Sequence, residues 1–208
     1  MIPVAILCGG KGTRLGELTR DRPKSLVEVC GRPFILWQLD LLEQAGGVRV
    51  VLCEGHLHGW IVSEIMREGG GCFGHTYKGM HIMYSYDGDA PLGTGGAVKK
   101  ALPLLGSNFM VLYGDSYLEC CYESIAYRHL HSRKEGLVTL YNGVDYGLSC
   151  FTRKAVEDFP RDVFDLNELK ERLALRDQLA VYQMDQRWYE IGTPEGLEET
   201  CRHLQKRT

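Results

Sequence analysis

The chain opens with Ile2-Pro3-Val4-Ala5-Ile6-Leu7-Cys8-Gly9-Gly10-Lys11-Gly12-Thr13-Arg14-Leu15, an apolar run followed directly by a glycine-rich segment. The apolar run predicts a buried strand, and the glycines let the backbone bring its N–H groups close to an anion. Arg14, and Lys24 one short loop later, add a guanidinium and an ammonium. The segment therefore predicts a phosphate-binding loop at the end of the first strand.

Two familiar phosphate loops do not fit this spacing. The loop of P-loop NTPases requires Gly, four residues and then Gly-Lys-Ser/Thr, but position 5 is Ala and Gly12 follows Gly10-Lys11. The dinucleotide fingerprint G-x-G-x-x-G requires a third glycine where the chain has Leu15. Both classes of nucleotide-binding protein are therefore disfavoured.

Length and charge limit the remaining classes. The 208 residues fit one domain, spanning 1–208, and a net charge of -3 gives no electrostatic footprint for nucleic acid or an anionic membrane. No basic region with an apolar segment opens the chain, and no apolar stretch is long enough for a membrane span, so we expect a cytoplasmic protein. Its eight cysteines form no C-x-x-C pair and are interpreted as reduced structural thiols. The oligomeric state stays open.

Short apolar runs alternate with segments of helical periodicity along the chain, which predicts an α/β fold with a mostly parallel sheet and helices on both faces. The strands are predicted at 2–8, 48–53, 80–86, 108–113, 136–141, 147–151 and 179–183. The helices are predicted at 33–45, 57–68, 95–105, 121–132, 165–176 and 194–205. Flexible points are expected at 69–71 and 142–146.

A second glycine-rich turn, Pro91-Leu92-Gly93-Thr94-Gly95-Gly96-Ala97, precedes a predicted helix. Ligands of open α/β sheets bind outside the carboxyl ends of the strands, so this turn and the first loop can face one ligand. The alternative is a helix entry that needs small residues for close packing. Asp115 follows the predicted strand 108–113, where a carboxylate can hold Mg²⁺, although a plain turn residue also fits.

The pattern G-G-x-G-T-R-L with Pro23-Lys24 downstream resembles the signature of the sugar nucleotidylyltransferases, which join a sugar 1-phosphate to an NTP. The resemblance runs from Gly9 to Thr193 in five segments and is strongest to the bacterial heptose and mannose 1-phosphate guanylyltransferase branch. It implies a three-layer Rossmann-like nucleotidyltransferase fold with a mixed, mostly parallel sheet. It also implies that an NDP-sugar and pyrophosphate are formed, with GTP as the favoured nucleotide.

The resemblance also implies roles for individual residues. The implied catalytic residues are Arg14, Lys24 and Asp115. The implied Mg²⁺ ligands are Asp115 and Glu190, although the family usually has Asp where this chain has Glu190. The implied nucleotide contacts are Leu7, Gly9, Gly10, Gly12, Thr13 and Gly95. The implied sugar contacts are Gly93, Gly96, Asp145 and Gly147, of which the last two also fit a plain hairpin.

One departure from the family pattern concerns the second substrate. Family members carry a β-ribbon with a lysine for the sugar phosphate, whereas residues 135–152 contain no lysine and the connection at 141–145 is short. Three explanations stay open. The chain is naturally shortened there, a loop has been excised, or another cation such as Lys24 or Arg153 takes the place of the ribbon lysine.

Alternative functions follow from this gap and from the fold class. A regulatory homologue that binds nucleotide-sugars without turnover is one, and a uridylyl- or thymidylyltransferase of the same fold is another. A nicotinamide-dependent oxidoreductase is a third, although the glycine spacing speaks against it. Neither the base nor the sugar can be read from the sequence.

Overall fold

The architecture is taken from a computed structural model that describes residues 2–10, 12–47, 49–55, 59–67, 75–88 and 90–206. Its strands are β1 Val4–Leu7, β2 Glu28–Val29, β3 Arg32–Pro33, β4 Arg49–Glu54, β5 Thr76–Tyr77, β6 Met80–Tyr86, β7 Asn108–Tyr113, β8 Ser116–Tyr117, β9 Gly136–Tyr141, β10 Val144–Thr152, β11 Leu179–Gln183 and β12 Tyr189–Glu190. Its α-helices are α1 Phe34–Gln44, α2 Gly59–Arg67, α3 Gly93–Ala101, α4 Tyr122–Ser132, α5 Arg153–Glu157, α6 Leu166–Leu175 and α7 Pro194–Gln205. Short 3₁₀ helices cover Thr13–Thr19, Lys24–Leu26 and Leu102–Leu104.

Eight of these strands form one sheet in the order β11-β9-β10-β7-β1-β4-β6-β5. The centre is parallel, since β1 pairs in parallel with both β4 and β7, and β4 pairs in parallel with β6. The long strand β10 runs antiparallel to β7 and β9. The carboxyl ends of β1, β4, β6 and β7 therefore meet at one edge, where a mixed sheet of this kind binds its ligand.

Helices cover both faces of the sheet, and each face has its own hydrophobic core. One core packs α1, α2 and α4 on the sheet, through residues such as Leu39, Ile65 and Ile125. The other packs α3, α5 and α6 on the opposite face, through residues such as Val98, Val156 and Leu169. The three-layer α/β fold with a mixed, mostly parallel sheet is confirmed.

The connection at 142–146 differs from the expected flexible segment. Asn142 and Gly143 both have positive φ, 50° and 79°, and they join β9 to β10 directly. Positive φ at both central residues defines the two-residue turn that matches the twist of a hairpin, and Asn-Gly is its preferred sequence. The strand therefore begins at Val144, three residues before its predicted start at 147.

Other differences are small or lie outside the described residues. Helix α2 begins at Gly59 and ends at Arg67, while the rest of the predicted span 57–68 and the expected flexible point at 69–71 fall outside the described part of the chain. Among the cysteines, Cys8, Cys53 and Cys150 are buried, whereas Cys30 and Cys121 are exposed. In the described residues, no helix has the length and apolar character of a membrane span.

Candidate active site

The first glycine loop leaves the carboxyl end of β1 in a fixed conformation. Gly12 has a φ of 62°, and a Cβ at this position would lie 2.8 Å from Cγ2 of Thr19 and 3.1 Å from Cβ of Lys24. The Thr19 hydroxyl also donates to the carbonyl oxygen of Gly12 at 2.9 Å. Glycine is therefore required here for both its backbone conformation and its lack of a side chain. Lys11 lies outside the described residues.

Lys24 and Asp115 form the central ion pair of the site. They follow β1 and β7, which are neighbours in the sheet, and the Nζ atom of Lys24 donates to Oδ2 of Asp115 at 2.5 Å. The side chains are only 12% and 29% exposed, so water screens the two charges less than at an open surface. A cation and a carboxylate from residues 91 positions apart are thus held together at the ligand-binding edge.

Glu190 and Arg14 complete this cluster. Strand β12 pairs with β8 so that Glu190 lies opposite Ser116, and the Ile191 N–H donates to the Asp115 carbonyl oxygen at 2.9 Å. A Cβ on Gly192 would lie 3.6 Å from Nη2 of Arg14, Oε1 of Glu190 and Nζ of Lys24. Two cations and the Glu190 carboxylate therefore border the space beside Gly192, and Asp115 is joined to this cluster by its ion pair with Lys24.

These two carboxylates suit Mg²⁺ better than a metal held by the protein alone. No group of three or more potential metal ligands from His, Cys, Asp and Glu occurs in the described parts of the chain. Mg²⁺ is commonly bound by one or two carboxylates, several waters and the phosphates of a substrate. Asp115, which directly precedes β8, and Glu190, on the paired strand β12, provide oxygen ligands of that kind.

The second glycine loop has two residues at the cavity wall and two glycines packed against residues 162–164. Gly93 and Thr94 line the cavity beside the first loop. Gly95 and Gly96 are buried instead, because a Cβ on Gly95 would lie 2.2 Å from the Phe164 ring and one on Gly96 would lie 2.3 Å from the Asp162 carbonyl oxygen. Close packing on 162–164 explains these two glycines, and their contacts with nucleotide or sugar stay a prediction.

Both loops open into one cavity of about 1080 Å³. This volume can hold a nucleotide together with a second small substrate. It is lined by residues of the first loop, by Lys24, by the second loop and by the end of β7, including Leu7, Gly9, Gly10, Gly12, Thr13, Arg14, Gly93, Tyr113 and Asp115. The first-loop residues predicted to contact the nucleotide therefore share one cavity with the predicted catalytic residues.

Two carboxyl groups near this cavity have raised pKa values because they are buried. Burial raises the pKa of Asp87, which lines the cavity, to about 6, while the nearby Lys100 acts in the opposite direction. Burial also raises the pKa of Glu54 to about 8; this residue ends β4 and is 2% exposed. Glu54 is therefore mainly a neutral acid at pH 7.

Asp145 and Gly147 lie on β10, beside the end of β7. A Cβ on Gly147 would lie 2.9 Å from Oγ of Ser116 and 3.5 Å from the Tyr113 ring. Asp145 pairs with Lys170, a residue that the motif search did not select, at 2.5 Å. The sequence position of Lys170 could have indicated it. A helical stripe is formed by Leu166, Leu169, Lys170 and Leu173, and Lys170 is the one charged residue in this stripe.

A family model described as nucleotidyl transferase matches residues 4–147, and the chain belongs to this family. The mannose-1-phosphate guanyltransferase beta-B of Xenopus laevis is 33% identical over 138 residues, which are 65% of this chain and 36% of the relative. The N-acetylmuramate alpha-1-phosphate uridylyltransferase of Neisseria meningitidis serogroup B is 40% identical over 111 residues, 53% of this chain and 45% of the relative. The chain thus spans less than half the length of these curated relatives.

The same fold occurs in a crystal structure of HddC from Yersinia pseudotuberculosis complexed with GMP-PN. The TM-score is 0.80 at 22% identity, over 98% of this chain and 100% of that one. At this identity the likeness shows the fold alone, which agrees with the membership of the family.

Proposed function

We propose that this protein transfers a nucleotidyl group from an NTP to a sugar 1-phosphate, forming an NDP-sugar and releasing pyrophosphate. The observation that carries the proposal is the Lys24–Asp115 pair, held at 2.5 Å within the cavity that both glycine loops line. Relatives named for guanylyl and uridylyl transfer to sugar phosphates support it. Such substrates belong to cytoplasmic metabolism, and the cytoplasm is therefore the proposed location.

The chemistry requires charge neutralisation more than a catalytic base. The attacking oxygen belongs to a phosphate that is already an anion, and it displaces pyrophosphate from the α-phosphorus of the NTP in line. Arg14 neutralises the leaving pyrophosphate, while the first-loop backbone orients it. Lys24 lies between the two reacting phosphates and offsets the charge that gathers there.

Asp115 and Glu190 are the residues that would hold Mg²⁺. The bound cation supplies further charge neutralisation at the α-phosphate. Lys24 also balances part of the charge of Asp115 through their ion pair.

GTP is the nucleotide that we propose, and Asp87 is the residue that supports this choice. Guanine presents two adjacent N–H donors on one edge, which a carboxylate can accept together, whereas uracil and thymine present one. Asp87 lies in the cavity wall, and one of its carboxylate oxygens would be 3.4 Å from a Cβ on Gly9. We expect Asp87→Asn to reduce the ratio of kcat/KM for GTP over UTP about tenfold; an unchanged ratio would exclude Asp87 as the selecting residue.

The reaction is tested by measuring pyrophosphate release for four NTPs, each combined with several sugar 1-phosphates. Release that requires both substrates, and is largest with GTP, supports the proposal. Tight binding of a nucleotide-sugar without release from any pair would select the regulatory homologue instead. A preference for UTP or dTTP would support the proposed reaction but contradict the choice of GTP as its nucleotide.

A further inference from the structure

Lys170 is a buried cation outside the phosphate loops. It lies on α6 and is 8% exposed, and its Nζ atom donates to Oδ2 of Asp145 at 2.5 Å and to the Tyr113 hydroxyl at 3.4 Å. Burying an ammonium has a desolvation cost, and an ion pair formed at that cost is weak evidence for a stabilising role. The surroundings of this pair therefore decide whether it has a role besides stability.

The pair adjoins the reacting centre. Tyr113 lines the cavity and ends β7, two residues before Asp115. On the other side, Gly147 brings β10 against Tyr113 and Ser116, and the Ser116 hydroxyl lies 3.4 Å from Oδ1 of Asp115. The Lys170 ammonium thus contacts Tyr113, a residue of the cavity wall that lies two positions before Asp115.

Helix α6 is fixed to the second glycine loop, so this position is well defined. Asp165 caps α6 through a capping box with Glu168, and its carboxylate also accepts from the Thr94 N–H at 3.2 Å. The Thr94 hydroxyl donates to the same Asp165 oxygen, at 3.3 Å, and accepts from the Leu166 N–H at 2.8 Å. The helix that carries Lys170 therefore begins at the wall of the cavity.

Asp145 is engaged in holding Lys170. One of its oxygens accepts from Lys170, and the other accepts from the Gly147 N–H at 2.9 Å. An ammonium has three N–H donors, and the contacts to Asp145 and Tyr113 account for two of them. Because the Tyr113 oxygen is the acceptor from Lys170, its own O–H can donate to a ligand.

The cations suggested by the sequence are placed less well for a second phosphate. Arg153 follows Thr152, which pairs with Asn108 at the start of β7, so it lies at the opposite edge of the sheet from the cavity. Its guanidinium contacts Glu157 and the Leu102 carbonyl oxygen there. Lys24 is already assigned to the reacting phosphates and Asp115.

We propose that Lys170 and Tyr113 bind the phosphate of the sugar 1-phosphate, with Asp145 as the residue that positions the Lys170 ammonium. This inference rests on the proposed function and assigns its second substrate to a site built from β7, β10 and α6. It replaces direct sugar binding by Asp145 with a positioning role. The ligand class is a phosphate monoester, recognised by two donors at the end of β7.

The test is isothermal titration of the whole chain with α-D-mannose 1-phosphate, α-D-glucose 1-phosphate and GTP. We expect Lys170→Met to raise the Kd of the sugar 1-phosphate that binds wild type by at least tenfold, since a charge-assisted hydrogen bond is lost. The Kd of GTP should change less than twofold, and Lys170→Arg should restore most sugar 1-phosphate affinity. Lys134→Met is the matched control, because Lys134 pairs with Asp177 before the start of β9, at the opposite edge of the sheet.

Equal changes for both ligands, or no change for the sugar 1-phosphate, would overturn the assignment, as would wild type that binds neither sugar 1-phosphate. If Lys170→Met does not fold, Asp145→Asn combined with Lys170→Met removes both charges and is titrated in its place. Binding does not require turnover, so the two proposals fail separately. Selective loss of sugar 1-phosphate binding in a chain that releases no pyrophosphate would retain the Lys170 site and reject the enzymatic proposal.

Discussion

The two ends of the cavity are built in different ways. The phosphate end comes from one continuous stretch, Leu7 to Lys24, which follows a single strand. The second end is the wall at Tyr113, a residue of β7 that contacts Lys170 of α6, which in turn pairs with Asp145 of β10. A local motif therefore determines the first end, while tertiary packing determines the second. Variants that act on one end, on both, or on the fold alone can separate these contributions.

Asp115 lies where the two ends meet, and its replacement should have the largest effect. We expect Asp115→Asn to lower kcat at least 1000-fold, because a neutral amide is a poor ligand for a hard cation. Activity measured against Mg²⁺ concentration, with circular dichroism as a check of folding, tests this. Turnover that persists without divalent cations would remove the metal from the account.

Lys24 should have the next largest effect. Lys24→Ala should lower kcat by about 100-fold or more while nucleotide binding weakens less, because the charge acts mainly in the transition state. Steady-state kinetics on both substrates measure the split between kcat and KM. Lys154→Ala, an exposed lysine on α5 at the far edge of the sheet, is the control and should leave both parameters unchanged. Near-normal kcat in Lys24→Ala would argue against its role.

Gly147 tests the end of the cavity built by packing. Its φ is 95°, and a methyl group there would press on the Ser116 side chain and contact the Tyr113 ring. We expect Gly147→Ala to raise KM for the sugar 1-phosphate about tenfold with little change in KM for the NTP, and to lower the unfolding free energy by ~1–2 kcal/mol. Thermal unfolding and initial rates measure these effects. A larger change in KM for the NTP would show that the two ends are not separable.

Glu54 should affect stability alone, so its effect on turnover is the smallest of the four. Its pKa rises from 4.5 in the unfolded chain to about 8 in the folded protein, so the folded state retains a proton that the unfolded state releases. The stabilisation by this group is complete below pH 4.5 and is lost as the pH rises to about 8, at about 1.4 kcal/mol for each pH unit. Urea unfolding of Glu54→Gln should lack this slope, whereas the exposed control Glu171→Gln should keep it. If the unfolding free energy changed with pH in the same way for wild type and both variants, the burial argument would be contradicted.

Much of the fold could be predicted from the sequence because its strands are apolar and end at turn residues. The bounds predicted for 80–86, 108–113, 136–141 and 179–183 agree with those of β6, β7, β9 and β11. Helix α5 was missed because five residues are too few to show a helical period. Its position depends on packing against β10 and α3, which no local pattern reveals.

The candidate site was predictable to the extent that it is local. The first loop and Lys24 are close in sequence, and their joint position in the cavity follows from one strand and one turn. Gly95 and Gly96 show the limit, because the sequence alone does not reveal their close packing on residues 162–164. Lys170 shows the other limit, since its pairing with Asp145 spans 25 residues and depends on how α6 packs against the sheet. The assignment of 1–208 to one domain stays a prediction.

The most direct test of the central claim uses GTP that carries ³²P at the α-phosphorus. The protein is incubated with this GTP, Mg²⁺ and the sugar 1-phosphate that gives the most pyrophosphate, and the product that carries the label is identified. The account predicts that the label moves into a GDP-sugar and that one pyrophosphate is released for each molecule of GDP-sugar formed. Label recovered in GDP with release of inorganic phosphate would contradict it, because the bond broken would then be the one to the γ-phosphorus.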